Sequence, residues 1–406
     1  MKHVWIVNHY AEEPGGSSGT RHYSLAKRLP GYGWKASIVA ASTGHNTGRQ
    51  RLAPDESTRL DHLDGVPFLW LRTRTYRGNG LARVGNIFDY TRAVLRRDNL
   101  LALEPPDIVL GSSVHPFAAW AGRRLARRNG VPFVFEVRDL WPQTLIDMGR
   151  LPRYHPITFT LRWLEKSLYK SASRIVVLLP LAADYIVPLG ISPERIKWVP
   201  NGVDLEDFPA FEQPSDDGGF SLMFFGAHGE ANGLDTVVRA MDLVRQHSAG
   251  SGIRLRLIGD GPRKPALVQL ARELGATNIT FEDPIPRHRI PETAAQADGF
   301  LFNLADIPVF KYGVSANKLF DFMAAQRPII YCCRSGNNPI EEAGSGITVA
   351  PGNPEALAAA IIRLAHLPHD ERTAMGLAGR AHVEQNYGLN SLAGRLADML
   401  DEALDR

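Results

Sequence analysis

The sequence predicts an α/β protein of two Rossmann-like domains in tandem, and three observations predict this fold class. The chain has 406 residues, more than one ordinary hydrophobic core, and its 44% hydrophobic and 22% charged residues are typical of a globular protein. Short apolar runs alternate with helical stretches, as in a parallel sheet covered on both faces. The alternation stops at a polar stretch, 212–219, which we interpret as a linker, and then restarts.

The first half of the chain contains ten predicted elements. Its strands are continuous apolar runs, which are typical of buried parallel strands, and helical stretches separate most of them. The predicted strands are 4–8, 36–41, 108–111, 133–137, 174–178 and 196–199, and the predicted helices are 20–29, 82–97, 117–129 and 161–171.

The second half repeats the alternation and predicts a second sheet. The predicted strands are 220–226, 255–259, 279–281, 299–302 and 329–331, and the predicted helices are 234–245, 265–274 and 317–325. The final stretch, 372–406, has few helix breakers and is predicted to be helical throughout.

Membrane spans and cysteine chemistry are not expected. The apolar run that begins at Val4 is far shorter than a signal-peptide core, and no stretch approaches 18 apolar residues. We therefore expect a cytoplasmic protein that spans nothing. The two cysteines, Cys332 and Cys333, are sequence neighbours with no metal-ligand spacing, so we interpret them as buried strand residues.

The most informative segment is 311–331. A turn containing Ser315 leads directly into a predicted helix at Asn317, so free backbone N–H groups, the positive helix end, Lys311 and Lys318 are expected to face one spot. That spot should bind an anion. Asp321 follows Lys318 by one helical turn, where a carboxylate can accept hydrogen bonds from a ribose diol. The segment predicts a clamp for a nucleotide diphosphate.

Three motifs carry a resemblance to a known family: Ser-x-x-Lys-Leu-Phe-Asp-x-Met-Ala at 315–324, Glu-Val-Arg-Asp-Leu-Trp-Pro at 136–142 and Pro-Asn-Gly-Val-Asp at 200–204. In their order along the chain they resemble the retaining family 4 glycosyltransferases that build bacterial surface polysaccharides, and the resemblance runs nearly end to end. It implies the GT-B fold, in which two Rossmann-like domains face a cleft and the last helix crosses back to the first domain. The implied domains are 1–205 with 387–406, which binds the acceptor, and 206–386, which binds the nucleotide sugar.

In the first domain, two loops and one histidine are candidates. Gly15 and Gly16 lie in a turn that opens the first helix, and the resemblance gives them a role towards the donor; a plain turn is the alternative. Arg138 and Asp139 follow the strand 133–137, at the end where open α/β sheets bind ligands. Arg138 falls where many relatives have a histidine that touches the donor sugar, and Asp139 is assigned to the acceptor. His115 is a further acceptor candidate, or else an ordinary loop or core histidine.

In the second domain, the resemblance implies donor contacts from loops that follow strands, at Gly226, Asp283 and Ile285. Two positions depart from the wider family. Gly313 stands where many members have a glutamate that touches the donor sugar, and the segment 225–233 lacks the usual pair of basic residues. A subgroup that transfers amino- and deoxy-sugars looks similar at these points.

These observations predict a retaining glycosyltransferase that moves a hexose or amino-hexose from a nucleotide diphosphate sugar, taken to be UDP-linked, to a lipid-linked or saccharide acceptor. Lys318 and Arg138 are the predicted catalytic residues; Lys318 would stabilise charge on the leaving diphosphate. No metal site, cofactor or nucleic-acid partner is expected. The alternatives are a catalytically silent relative that acts as a scaffold, and a nucleotide-dependent oxidoreductase, whose Gly-x-Gly-x-x-Gly fingerprint is missing.

Charge is concentrated in one segment. Residues 70–128 contain eleven arginines, no lysine and four acidic residues, a local net charge of +7 within a chain whose net charge is +3. Solvated arginines on helix faces would account for it, and so would a patch for an anionic membrane surface or a phosphorylated acceptor. With a lipid-linked acceptor, the second interpretation predicts peripheral binding to the inner face of the cell membrane.

Overall fold

The computed structural model describes residues 1–15, 20–45, 47–76, 78, 80–209 and 219–405. These residues form two compact units. Unit 1 contains Met1–Asn201 and Leu389–Arg406, and unit 2 contains Gly202–Gly388. Two sequence predictions fall outside the described residues: the candidate Gly16, and the linker 212–219, of which only residue 219 is described.

The described part of unit 1 contains an eight-stranded sheet. Seven strands run parallel because helices cross over between them, and β3 joins the edge antiparallel to β4. The sheet order is β3-β4-β2-β1-β5-β6-β7-β8. The strands are β1 (Lys2–Val7), β2 (Trp34–Ala41), β3 (Thr58–Leu63), β4 (Val66–Leu71), β5 (Ile108–Ser112), β6 (Phe133–Val137), β7 (Arg174–Val177) and β8 (Ile196–Trp198).

The helices of unit 1 cover this sheet. They are α1 (Arg21–Arg28), α2 (Leu81–Leu95), α3 (Pro116–Asn129), α4 (Gln143–Asp147), α5 (Pro156–Ser171), α6 (Ala182–Ile186) and, from the end of the chain, α14 (Leu389–Leu404). Leu392, Leu396 and Leu400 of α14 lie on one face and are buried in the same core as β1 and β2. The indole of Trp34 also donates a 2.8 Å hydrogen bond to Asp401.

Unit 2 contains a fully parallel sheet, which has six strands in the order β11-β10-β9-β12-β13-β14 among the described residues. The strands are β9 (Phe220–Phe225), β10 (Ile253–Ile258), β11 (Ile279–Glu282), β12 (Gly299–Asn303), β13 (Ile329–Cys332) and β14 (Gly346–Val349). The helices are α7 (Leu234–Gln246), α8 (Lys264–Leu274), α9 (Ile290–Ala294), α10 (Asn317–Ala324), α11 (Pro339–Ala343), α12 (Pro354–Ala365) and α13 (His369–Asn386). Phe322 of α10 stacks on Phe300 of β12 with ring centroids 4.4 Å apart, which fixes α10 on the sheet.

Several features differ from the sequence prediction, among them β14 and α12, which were not predicted. The hairpin β3-β4 was not predicted, although its turn, Asp64-Gly65, has positive φ at both residues (47° and 82°) and Asp-Gly is a strong hairpin signal. The final stretch, predicted to be helical, forms two helices, because the chain leaves the helical conformation at Tyr387 and Gly388. Both cysteines are free and buried, as predicted.

The described helices are all too short or too polar to cross a lipid bilayer. The longest, α13, has 18 residues and carries charged side chains along its whole length.

Candidate functional site

Lys318 lies in the first turn of α10, next to the end of β9. Its Nζ donates a 2.6 Å hydrogen bond to Oδ1 of Asn232 and lies 4.2 Å from the ring centroid of Phe224. Gly226 has φ +142°, and a Cβ there would lie 3.6 Å from Nζ of Lys318. The ammonium group therefore packs against bare backbone at the carboxyl end of a parallel strand, where open α/β sheets bind ligands.

The charge of Lys318 is not neutralised by the protein. Among the described residues, no carboxylate pairs with Lys318, and its hydrogen-bond acceptor is a neutral amide. Because the side chain is half-buried against aromatic rings, burial lowers the pKa of Lys318 to about 7. An anion bound here would supply the missing counter-charge.

Asn232 holds this loop together. Its Nδ2 donates to the carbonyl of Ala227 at 2.7 Å, and its own carbonyl accepts from Nδ2 of Asn303 at 2.6 Å. It lies within the segment where many relatives carry a basic pair. The amide thus positions Lys318 without competing with it for an anion, since it carries no charge.

Asp321 is buried and paired, which differs from the predicted environment. Its Oδ1 and Oδ2 accept from the two terminal nitrogens of Arg287, at 3.1 and 3.3 Å. Burial raises the pKa of the Asp321 carboxyl and the guanidinium opposes that rise, while Asp321 raises the pKa of Arg287. The predicted ribose contact has to be made by a carboxylate that already accepts two hydrogen bonds. Arg287 was not a sequence candidate, although it lies five residues after the end of β11, beyond the candidates Asp283 and Ile285.

The loops after β10 and β11 are joined by Lys264. Its Nζ donates to the carbonyl of Gly259 at 2.9 Å and to that of Glu282 at 2.8 Å. The side chain of Asp283 is 98% exposed, and its only described ion pair is with Lys264 at 3.2 Å. Ile285 is half-buried. Both donor candidates therefore lie on a loop with an anchored start.

The turn before α10 is shaped by glycine. Gly313 has φ +106°, a conformation in which the glutamate of many relatives would be strained. Lys311 is exposed and lies 4.9 Å from the ring centroid of Tyr312. Ser315 and Asn317 are half-buried at the start of α10. The turn is held by Asn337, whose Oδ1 accepts from the backbone N–H of Val314 at 2.7 Å.

In unit 1, a buried cluster of charged residues forms around Glu136. Its Oε1 accepts from Nε of Arg21 at 3.0 Å, and its Oε2 accepts from Nε2 of His22 at 2.6 Å. Arg21 also donates to the carbonyls of Val199, at 2.8 Å, and Pro200. The cluster therefore connects the first turn of α1, strand β6 and the chain after β8.

The ionisation of this cluster follows from its contacts. Burial opposes the charge of Glu136, but His22, Arg21 and Arg138 outweigh it and hold the pKa of that carboxyl well below its usual range. Burial lowers the pKa of His22. Nδ2 of Asn8 lies 2.7 Å from Nδ1 of His22, so the hydrogen bonds assign the proton of a neutral His22 to Nε2.

Arg138 and Asp139 follow this cluster directly. The backbone N–H of Arg138 donates to Oγ of Ser113 at 3.2 Å, which ties the end of β6 to the chain after β5. Within the described ranges its half-buried guanidinium has no hydrogen-bond partner, and Asp139 is exposed. A salt bridge between the two, the alternative interpretation, is not formed. Gly15 has φ +100° and open space around it.

His115, an acceptor candidate, is buried and hydrogen-bonded within unit 1. The side chain is only 2% exposed, and both ring nitrogens are engaged: Nδ1 accepts from the N–H of Ala118 as the cap of α3, and Nε2 lies 2.6 Å from Nδ1 of His9. Burial, with Arg83 nearby, lowers the pKa of His115 to about 3. These contacts favour the alternative interpretation, a core histidine that caps α3.

Two family models match the chain, one in each unit. The model described as a glycosyl transferase 4-like domain matches residues 16–202, and the model described as glycosyl transferases group 1 matches residues 219–366. The chain is a glycosyltransferase. The catalytic and donor candidates Lys318, Gly226 and Arg138 all lie inside the matched ranges.

Solved structures confirm the predicted GT-B fold of this glycosyltransferase. A sucrose-phosphate synthase from Thermosynechococcus elongatus superposes with a TM-score of 0.76 at 16% identity, over 99% of this chain and 98% of that one. HepE from Anabaena, solved in complex with UDP-glucose, gives a TM-score of 0.66 at 15% identity, over 99% of this chain and 100% of that one.

Curated relatives are also glycosyltransferases. A probable glycosyltransferase, WbjE, from Pseudomonas aeruginosa is 26% identical over 68% of this chain and 70% of its own length. A GDP-mannose-dependent phosphatidylinositol monomannoside mannosyltransferase from Mycobacterium tuberculosis is 30% identical, over 41% of this chain and 44% of its own. A putative colanic acid biosynthesis glycosyltransferase, WcaL, from Salmonella typhimurium is 24% identical over 58% of each chain.

Proposed function

We propose that the glycosyltransferase is a retaining enzyme that moves a hexose or amino-hexose from a UDP-sugar to a lipid-linked or saccharide acceptor in surface polysaccharide synthesis. The observation that carries the proposal is Lys318: a half-buried ammonium, held by the neutral amide of Asn232, beside the bare backbone of Gly226. A cation without a counter-ion at the carboxyl end of a parallel sheet favours a phosphate ligand.

In this proposal the diphosphate leaves while Lys318 and the N–H groups at the start of α10 bind its growing negative charge. Those N–H groups point along the helix axis, so in this proposal the Lys318 charge and the backbone N–H groups both stabilise the leaving diphosphate. A diphosphate oxygen accepts the proton of the attacking acceptor hydroxyl, so no protein base is required. Arg138, whose guanidinium is unpaired among the described residues, is proposed to orient donor oxygens.

Different observations support the proposed donor and the proposed acceptor. HepE binds UDP-glucose and the mannosyltransferase uses GDP-mannose, so both bases occur among similar proteins. Gly313 stands where many relatives have a glutamate that touches the donor sugar, and the subgroup that transfers amino- and deoxy-sugars looks similar there, which favours a donor of that kind. The names of WcaL, which refers to colanic acid biosynthesis, and of the phosphatidylinositol monomannoside mannosyltransferase support a role in the synthesis of polysaccharide or glycolipid. Metal independence stays a prediction.

A panel of nucleotide sugars tests the proposal. Calorimetry or saturation-transfer NMR with UDP- and GDP-linked hexoses, amino-hexoses and deoxy-hexoses should find one tight donor, and that donor should be UDP-linked. Lys318→Ala should weaken it, whereas Arg363→Ala, which removes an exposed cation from α12 of the same unit, should not. Binding of GDP-linked donors alone would overturn the assignment of uracil as the nucleobase of the donor. If no nucleotide sugar bound, the scaffold alternative would be favoured.

The affinity for UDP should fall as pH rises above about 7. A bound diphosphate raises the pKa of Lys318, so the binding contribution is fully present below the free-state value of about 7 and is lost above it. UDP itself is fully ionised in that range, because its last phosphate pKa is about 6. Calorimetry between about pH 7.5 and 9.5 should show a decrease approaching tenfold per pH unit.

Lys318→Arg provides the matched control for this pH dependence. A guanidinium stays charged throughout the range, so the variant should bind UDP with an affinity that is flat in pH even if it binds more weakly. A flat profile for the unaltered protein would show that Lys318 titrates like an exposed lysine.

A further inference from the structure

A cationic groove lies between α3 and α5, away from the candidate residues described above. It has a volume of about 460 Å³ and is lined by Arg123, Arg127, Trp163, Lys166, Ser167, Lys170 and Ser171. No acidic side chain is among these lining residues. Glu165 of α5 is buried on another face, where it accepts hydrogen bonds from the hydroxyls of Tyr169, at 3.1 Å, and Tyr185, at 3.0 Å. The groove therefore concentrates positive charge with nothing to offset it.

Arg123 forms the buried wall of the groove. It is only 7% exposed, and its Nη1 donates to Oγ of Ser167 at 2.6 Å. Its Nε is buried and has no hydrogen-bond partner among the described residues. Burial and the charges of Arg127 and Arg124 lower the pKa of Arg123. The guanidinium of Arg123 thus adds a fixed positive charge to the wall of the groove, next to the charge of Arg127.

The rim of the groove is aromatic. Phe159, Trp163, Lys166 and Lys170 follow one another at helical spacing, so they form one stripe along α5. The two aromatic side chains are 54% and 69% exposed. Aromatic rings beside lysines are the arrangement with which a helix lies in the interface of a bilayer, because the rings enter the headgroup layer while the cations meet phosphate.

We propose that this groove binds the phosphate of an anionic phospholipid headgroup and docks unit 1 on a membrane surface. The cationic lining of the groove and the exposed rings of the stripe both match that occupant. The site deepens the proposed function, since docking would bring the enzyme to a lipid-linked acceptor, but the binding itself does not depend on glycosyl transfer.

Not all arginines of the segment 70–128 are available to bind a membrane surface. Arg72 donates to the carbonyls of Glu56 and Ala53, and Arg74 is paired through two nitrogens with Asp89. Those two side chains have structural roles, whereas Arg127 at the end of the segment lines the groove with lysines from α5. A test of membrane binding should therefore change the groove.

Vesicle flotation at low ionic strength tests the site. The protein should float with vesicles that contain phosphatidylglycerol, ignore neutral phosphatidylcholine vesicles and be released as salt approaches about 0.5 M. The combined variant Arg127→Gln, Lys166→Gln and Lys170→Gln should lower the partition coefficient at least about tenfold, because each cation near the surface contributes to binding. The variant Arg239→Gln, Arg254→Gln and Arg363→Gln removes the same charge from exposed positions of unit 2 and should leave flotation unchanged.

Two further measurements separate the possible occupants. Phe159→Ser with Trp163→Ser should weaken flotation although every cation remains, since the rings would no longer enter the interface. Soluble glycerol phosphate at millimolar concentration should not compete with vesicles. Effective competition, equal binding to neutral vesicles or unchanged flotation of the groove variant would each overturn the lipid site. UDP binding should be the same in all these variants, so a failure of the lipid site is distinguishable from a failure of the proposed function.

Discussion

Replacing Lys318 with alanine should lower the turnover of glycosyl transfer at least about a hundredfold. Loss of one preorganised donor to a developing negative charge costs roughly 3 kcal/mol of transition-state stabilisation. The Lys318 ammonium is held in place by Asn232 and by the rings of Phe224 and Phe302, so we expect no other described cation to replace it. The measurement is kcat with the donor identified by the nucleotide-sugar panel, at saturating donor and acceptor.

Asn232→Ala gives a graded comparison for this effect. The variant keeps the Lys318 charge and removes its neutral partner, so it should reduce turnover less than Lys318→Ala does. Circular dichroism and the thermal midpoint Tm should confirm that both variants are folded. A folded Lys318→Ala variant with turnover near that of the unaltered protein would contradict the assignment of Lys318.

Replacing Glu136 with alanine should destabilise unit 1 by about 3–5 kcal/mol, because it leaves the buried guanidinium of Arg21 without its counter-charge. Both side chains are almost completely inaccessible to solvent. All seven tryptophans of the chain lie within residues 5–198, so tryptophan fluorescence during urea unfolding reports on unit 1 alone. The expected result is a large decrease in the midpoint of that transition.

Two variants make the Glu136 result specific. Glu104→Ala removes an exposed pair with Lys35 and should leave the fluorescence transition unchanged, since exposed ion pairs contribute little. Arg21→Met with Glu136→Leu removes both charges and should recover much of the stability lost in Glu136→Ala. An unchanged midpoint for Glu136→Ala would mean that the pair contributes nothing to folding.

Elements with long apolar runs could be predicted from the sequence, because burial on both faces of a parallel strand leaves a continuous signal. The edge strand β3 could not, since its residues are half-exposed and mix polar with apolar side chains. The break between α13 and α14 is implied by the resemblance, which begins the last helix at 387, and not by the residues themselves. Gly388 alone marks it, and a single glycine also occurs inside helices, as Gly379 does within α13.

The candidate site was predicted where it is local in sequence. Lys318, Asn317 and the turn before them lie within a few residues, so a motif contains them. The partners that set their chemistry are distant: Asn232 is 86 positions from Lys318, and Arg287 is 34 positions from Asp321. Such contacts depend on which strands become neighbours, and no spacing rule in the sequence encodes them.

The Arg21–Glu136 pair has a consequence for how this chain can vary. The two residues are 115 positions apart, but loss of Glu136 alone leaves a buried guanidinium without its counter-charge, and loss of Arg21 alone leaves the carboxylate with only His22 and Arg138. They should therefore be gained and lost together among homologous proteins. For the same reason, a chimaera that takes its first forty or so residues from a relative should fold only when the donor carries arginine at the position of Arg21, or when position 136 is changed with it.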